Sequence, residues 1–147
     1  MSENNPILQV KDLTVSFNAF SGQVQAGGDL NKGETLCIVG ESGSGKSVTN
    51  KAIMGILSKN AVIDRGEILY DGMDLTKLTE EQFCQIRGKR IAMVFQDPLS
   101  ALNPIMKVGK QITETLCVHQ KLSHEQAKKR ALELMAAVGI PEPEKRF

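Results

Sequence analysis

The sequence predicts an α/β domain with a helical appendage. Three observations lead to this prediction: apolar and polar residues alternate near the N-terminus, two nearly continuous apolar runs follow, and helical patterns dominate the last third of the chain. The chain has 147 residues, of which 41% are hydrophobic and 24% charged. This length and composition suit one globular domain and exclude disordered and fibrous classes.

Strands are predicted from two kinds of hydrophobic pattern. Residues 13–17 (LTVSF) alternate apolar and polar side chains, which is typical of a strand with one buried face. Residues 34–39 (ETLCIV) and 90–95 (RIAMVF) are almost continuously apolar. Such runs favour strands that are covered on both faces, as in a parallel sheet.

The segments between these strands carry weaker signals. Residues 18–33 are rich in Gly, Gln and Asn and show little periodicity, so we expect an irregular segment there. Gly66 is expected to open a further strand over 67–72 (EILYDG), which ends in an Asp-Gly turn. The turn-rich stretch 96–104 (QDPLSALNP) is expected to link the strands to the last helices.

Helices are predicted where apolar residues recur at helical spacing and where capping residues begin the pattern. Thr79 with Gln82, and Ser123 with Gln126, each fit a capping box. The helical patterns cover 46–57, 79–86, 108–119 and 123–139.

Charge, hydropathy and cysteine content exclude several function classes. The net charge is +1, which gives no overall attraction to nucleic acid. No apolar stretch is long enough to span a bilayer, and the N-terminal residues MSENNP lack the features of a signal peptide, so we expect a cytoplasmic protein. Cys37, Cys84 and Cys117 are far apart, so neither a disulfide framework nor a zinc site is expected.

Residues 40–47 (GESGSGKS) match the pattern G-x-x-x-x-G-K-[ST] at every required position. The glycines let successive backbone N–H groups point at a phosphate, and the helix that follows directs its positive end to the same place. Lys46 can reach the β- and γ-phosphates, and the Ser47 hydroxyl can ligate Mg²⁺. The sequence therefore predicts a site for a nucleoside triphosphate. The expected binding residues are Gly40, Glu41, Ser42, Gly43, Ser44, Gly45, Lys46, Ser47 and Val48.

This loop, together with VFQDP (94–98) and LNPIMKVGKQITE (102–114), resembles the ATP-binding subunits of ABC transporters. The chain looks most like the branch that energises import of oligopeptides, dipeptides and nickel. The resemblance covers nearly the whole chain and implies the P-loop NTPase core of an ABC ATPase. It implies an N-terminal β subdomain and P-loop core over 1–95, and the Q-loop and the start of a helical subdomain over 96–147.

The resemblance also implies roles for two residues outside the loop. Phe17 falls where the family has an aromatic residue that stacks on adenine, although a plain core residue would look the same. Gln96 resembles the Q-loop glutamine, which approaches Mg²⁺ and the attacking water, although it could instead cap a strand. Lys46 and Gln96 are then the expected catalytic residues, Ser47 and Gln96 the metal ligands, and ATP and Mg²⁺ the cofactors.

The partners implied by the resemblance are transmembrane permease subunits and a second ATP-binding subunit, identical or paralogous. A substrate-binding protein outside the cytoplasm would act indirectly, and no nucleic acid is expected. The implied location is peripheral, on the cytoplasmic face of the cell membrane.

Several features of the family are missing from this sequence. An LSGGQ-like signature, a Walker B strand and a switch histidine would follow Phe147, and the stretch from Phe17 to Gly40 looks a few residues short. We therefore expect the N-terminal portion of a longer subunit, which alone does not hydrolyse ATP. Alternatives are a non-hydrolysing nucleotide-binding module and, less in keeping with the motifs, a metabolite kinase or a DNA-repair ABC ATPase.

Overall fold

The computed structural model describes residues 6–17, 20–97 and 101–147. The chain forms two compact units, Met1–Arg87 and Gly88–Phe147. The first unit contains a sheet and the phosphate loop, and the second contains the C-terminal helices. The subdomain boundary expected between residues 95 and 96 stays a prediction.

Four antiparallel strands form the sheet of the first unit, in the order β2-β1-β3-β4. Their bounds are Leu8–Phe17 for β1, Phe20–Leu30 for β2, Ala61–Tyr70 for β3 and Met73–Asp74 for β4. The strand predicted for 13–17 is confirmed as the second half of β1. Leu13, Val15 and Ile68 are almost completely buried, so the core of this unit lies on the two central strands.

The irregular segment expected over 18–33 is instead largely a strand, although residues 18 and 19 lie outside the described residues. β2 pairs with β1 along most of its length, and Val24 lies opposite Val15. Glycine and polar residues lower the intrinsic strand propensity of β2, but cross-strand pairing outweighs that preference. The expectation was wrong because β2 forms by pairing with β1, which the residues of β2 alone do not indicate.

β3 begins at Ala61, well before the glycine that was expected to open it. Gly66 lies inside β3 with a φ of +100°, at an irregularity in the pairing with β1. A Cβ atom there would lie 2.5 Å from Cα of Leu13 and 2.6 Å from the carbonyl oxygen of Lys11. The glycine therefore marks a close approach of two backbones rather than the start of a strand. The expected Asp-Gly turn at 71–72 connects β3 to β4.

The two apolar runs that were expected to be buried strands are not strands. Residues 34–39 form no regular structure, and in 90–95 only Ile91 forms an isolated bridge. Val39 is 82% exposed and Val94 is 94% exposed. A strand forms only where a neighbour supplies partners for its N–H and C=O groups, and within the described sheet every strand pair is antiparallel. The α/β class is correct, but the expected parallel pairing is not found in the described residues.

The helical elements of the first unit are α1 (Lys46–Ile53), a 3₁₀ turn (Leu75–Lys77) and α2 (Glu80–Ile86). The two helices begin where the sequence predicts, α1 at the start of its helical pattern and α2 after its capping residue, whereas the 3₁₀ turn was not predicted. The helix expected over 46–57 ends at Ile53, because Gly55 adopts a left-handed conformation with a φ of +63°. The capping box is confirmed: the Thr79 hydroxyl accepts from the N–H of Gln82, and the Gln82 side chain accepts from the N–H of Thr79.

The second unit contains α3 (Val108–Gln120), α4 (His124–Ala137) and the short α5 (Pro143–Arg146). The helix predicted over 108–119 is confirmed, as is the capping box at the start of α4. Leu116 of α3 packs against Ala127 and Ala131 of α4, and all three are almost completely buried. Of the linker expected over 96–104, residues 98–100 lie outside the described residues.

Candidate functional site: the phosphate-binding loop

The loop over residues 40–45 leads directly into α1. Gly43 and Gly45 have φ angles of +82° and +95°, in the left-handed region that glycine adopts at little cost. Gly45 is also the N-cap residue of α1. The predicted context of a glycine-rich loop followed by a helix is therefore present, although the run before it is not a strand.

Gly45 lies directly against β2. A Cβ atom at this position would lie 2.2 Å from Cγ1 and 2.9 Å from Cγ2 of Val24. The position therefore requires glycine because of a close approach as well as because of its backbone angle. Sequence reasoning missed Val24, since a local motif gives no signal for its partner on another strand.

The Lys46 side chain folds back over the loop. Its ammonium group donates hydrogen bonds to the carbonyl oxygens of Gly40, at 2.7 Å, and Glu41, at 2.6 Å. It also donates to the hydroxyl of Ser44 at 3.1 Å. The positive charge is thereby held at the loop, where it can balance an anion bound by backbone N–H groups.

The N-terminal end of α1 adds a second positive element to the loop. The helix has no side-chain cap and no acidic residue in its first turn. The N–H and the hydroxyl of Thr49 both donate to the carbonyl oxygen of Gly45, at 2.9 and 3.1 Å. Because no carboxylate balances the positive end of the helix dipole, this end favours an anion.

Ser47 is exposed in the first turn of α1, and its neighbour Val48 is half-buried. A hydroxyl oxygen is a suitable ligand for Mg²⁺, which usually keeps several waters and takes further ligands from phosphates. The described residues contain no group of three or more His, Cys, Asp or Glu that could hold a metal by itself. The exposed hydroxyl of Ser47 would fit a magnesium ion that takes its other ligands mainly from nucleotide and water, and the roles of Ser47 and Gln96 as ligands stay a prediction.

A cleft of about 430 Å³ lies beside the loop. Its lining combines Gly45 and Lys46 with apolar residues that include Val10 and Ile38. Phe17 is half-buried at the end of β1 and is not among the described residues that line this cleft. Its adenine-stacking role stays a prediction.

Gln96 is exposed and follows residues 92–95, which form no regular structure. It belongs to the second unit, whereas the phosphate loop belongs to the first. An exposed amide is available to a ligand or a partner chain, and its expected approach to Mg²⁺ stays a prediction.

Charged groups near the far end of α1 gave no signal in the sequence. Arg87, which follows α2, donates to Glu80 and to carbonyl oxygens at the end of α1. The hydrogen bond from Arg87 lowers the pKa of the Glu80 carboxyl. Burial alone would raise the pKa of Asp74, but hydrogen bonds from Lys77 and Thr76 outweigh burial and lower that pKa.

Comparison with known proteins identifies the family of this chain. The family described as "ABC transporter" matches residues 25–147, which is most of the chain. The chain belongs to the ABC transporter family. The resemblance noted from the loop, VFQDP and the LNP segment is thereby confirmed.

Relatives of this ABC transporter chain carry names from peptide transport. The chain is 57% identical over 145 residues to the oligopeptide transport ATP-binding protein OppD of Bacillus subtilis (strain 168), covering 95% of this chain and 40% of that protein. It is 53% identical over 143 residues to the dipeptide transport ATP-binding protein DppD of Lactococcus lactis subsp. cremoris (strain MG1363), covering 94% of this chain and 41% of that protein. The chain thus spans about two fifths of the length of the curated relatives it matches.

A solved ABC cassette shares the fold. The dimeric structure of a post-hydrolysis state of the ATP-binding cassette MJ0796, bound to ADP and Pi, matches with a TM-score of 0.73 and 24% identity. The match covers 88% of this chain and 56% of that one, and it confirms the expected fold. No helix in the part of the chain that the structure describes has the length and apolar character needed to cross a membrane.

Proposed function

We propose that this ABC transporter chain binds ATP and that the intact subunit hydrolyses ATP to drive import of peptides or a related small solute. The observation that carries the proposal is the phosphate loop, over which the Lys46 ammonium is held and toward which the uncapped end of α1 points. The names of the relatives, which are peptide transport ATP-binding proteins, support the class of solute.

Each candidate residue has a distinct role in this proposal. Lys46 balances charge on the β- and γ-phosphates, and backbone N–H groups of the loop and of Val48 hold the phosphates. Ser47 holds Mg²⁺, and Phe17 stacks on the adenine ring. Gln96 orients water and approaches the ion. Bound Mg²⁺ supplies electrostatic stabilisation of charge on the phosphate oxygens.

The proposed partners are transmembrane permease subunits and a second ATP-binding subunit of the same or a paralogous kind. A substrate-binding protein outside the cytoplasm acts indirectly. This arrangement places the protein on the cytoplasmic face of the membrane, with 1–95 as the β subdomain and P-loop core and 96–147 as the Q-loop and the start of the helical subdomain. The dimeric form of the matched cassette supports pairing of two ATP-binding subunits.

A second candidate function is nucleotide binding without hydrolysis by the 147-residue chain alone. The described residues that line the cleft beside the loop include no Asp, Glu or His. Besides Gln96, ATP hydrolysis needs a carboxylate or another base beside the attacking water, because an amide accepts no proton. We therefore expect this chain by itself to bind ATP and to release no phosphate above background. The family match argues against the alternative of a metabolite kinase.

The test is a titration with ATP and Mg²⁺ of the wild type and of Lys46→Ala. A hydrogen bond to a charged group contributes about 1.5–3 kcal/mol, so we expect the Kd for ATP to rise about 10- to 150-fold. Lys51→Ala is the matched control, because Lys51 is exposed on the same helix and has the same charge. Equal affinities in the wild type and in Lys46→Ala would refute the assignment of the phosphate site.

A further inference from the structure

The C-terminal end of α1 is closed by a Schellman motif. The N–H of Gly55 donates to the carbonyl oxygen of Ala52 at 3.0 Å, and the N–H of Ile56 donates to that of Lys51 at 2.9 Å. Gly55 supplies the left-handed conformation that this motif requires. The motif leaves the carbonyl oxygens of Met54 and Gly55 to find other partners.

Arg87 provides those partners. Its Nε donates to the carbonyl oxygen of Met54 at 2.7 Å, and its Nη2 donates to that of Gly55 at 2.9 Å. A guanidinium group is a planar fork of donors, so one side chain holds two adjacent carbonyl oxygens in a fixed direction. A positive charge at this end also complements the helix dipole of α1.

The guanidinium is itself fixed by α2. Its Nη2 donates to Oε2 of Glu80 at 3.1 Å, and its central carbon lies 4.6 Å from the centre of the Phe83 ring. The same ring lies over Gly55, where a Cβ atom would be 2.5 Å from Cζ of Phe83. The side chain of Arg87 is only 21% exposed, so its position is set by these contacts rather than by solvent.

α1 connects these contacts with the phosphate loop. Its eight residues form a rod of about 12 Å, with Gly45 and the loop at one end and Arg87 at the other. One face of α1 lines the cleft beside the loop together with residues of β1 and β2, so this face is not fully packed against the sheet and contacts at the two ends of the helix contribute to its direction. We propose that Arg87 is a positioning residue for nucleotide binding, which sets the direction of α1 and thereby the position of its loop. This inference rests on the proposed function of the loop.

The experiment compares the ATP affinity and the melting temperature of full-chain variants. In Arg87→Lys the charge remains but the fork is lost, so we expect the Kd for ATP to rise about three- to tenfold. Thr79→Ala is the matched control, because it removes the cap of α2 but none of the contacts with α1. We expect it to lower the melting temperature and to change the Kd by less than about twofold. Glu80→Gln keeps the guanidinium and serves as a milder variant, with a smaller rise in Kd.

The outcomes separate this inference from the proposed function. If Lys46→Ala binds ATP much more weakly than the wild type, and Arg87→Lys only lowers the melting temperature as Thr79→Ala does, the positioning role is wrong and the phosphate site stands. If neither the wild type nor Lys46→Ala binds ATP, both proposals are wrong. A rise in Kd for Arg87→Lys without one for Thr79→Ala supports the positioning role.

Discussion

Replacing Gly45 by alanine perturbs the loop at its contact with the sheet, and two separate costs are expected. The backbone angle φ of +95° lies in the left-handed region, which costs a residue with a Cβ atom about 1–2 kcal/mol. The new Cβ would also lie 2.2 Å from Cγ1 of Val24, and such overpacking costs about 1–3 kcal/mol. We therefore expect Gly45→Ala to lower the free energy of unfolding by about 2–5 kcal/mol.

The assay is urea unfolding, with Gly43→Ala as the matched control. Gly43 has a φ of +82°, but a Cβ atom there meets nothing within 4 Å, so only the backbone cost of about 1–2 kcal/mol should be measured. Combining Gly45→Ala with Val24→Ala should recover about 1–3 kcal/mol relative to the sum of the single changes. Equal losses for the two glycine variants, together with no coupling to Val24, would refute the close approach of loop and β2.

Two further predictions concern the ionisation of Asp74 and the role of Gln96 in transport. The pKa of Asp74 is lower in the folded than in the unfolded protein, so its ionised carboxylate stabilises the fold. This stabilisation is fully present above the unfolded-state pKa, and it is lost as the pH falls through the folded-state pKa. The free energy of unfolding should therefore fall between about pH 5 and pH 2 by more in the wild type than in Asp74→Asn, and equal pH profiles would contradict this. Gln96→Ala should leave the Kd for ATP unchanged in the intact subunit and slow coupled transport, as measured by ATP titration and by uptake in reconstituted vesicles. A large loss of ATP affinity would mean that Gln96 has another role.

The four longer helices, α1 to α4, could be predicted because their signals are local, whereas the short α5 was not predicted. A capping box such as that of Thr79 and Gln82 satisfies the backbone N–H groups of its own first turn, whatever surrounds it. The glycine-rich turn before α1 could be predicted for the same reason, since backbone angles such as those of Gly43 and Gly45 depend on glycine itself, whereas its role in binding phosphate stays a prediction.

The strands were harder to predict because their partners are distant in the sequence. β2 has a weak pattern of its own and forms by pairing with β1, whereas the strongly apolar run 34–39 has no strand partner in the described residues. Arg87 was missed in the same way: its role depends on the ends of two helices meeting, which no local pattern encodes.

The contact between α3 and α4 has a consequence for how this protein can change over generations. Ala127 and Ala131 are completely buried against Leu116, so the two helices meet through some of the smallest side chains available. The side chain of alanine is a single methyl group, so almost every substitution at these positions introduces a larger side chain that would force the helices apart. Most substitutions at these two positions are therefore expected to destabilise the packing of the two helices. The exposed positions of the same helix can vary freely around them.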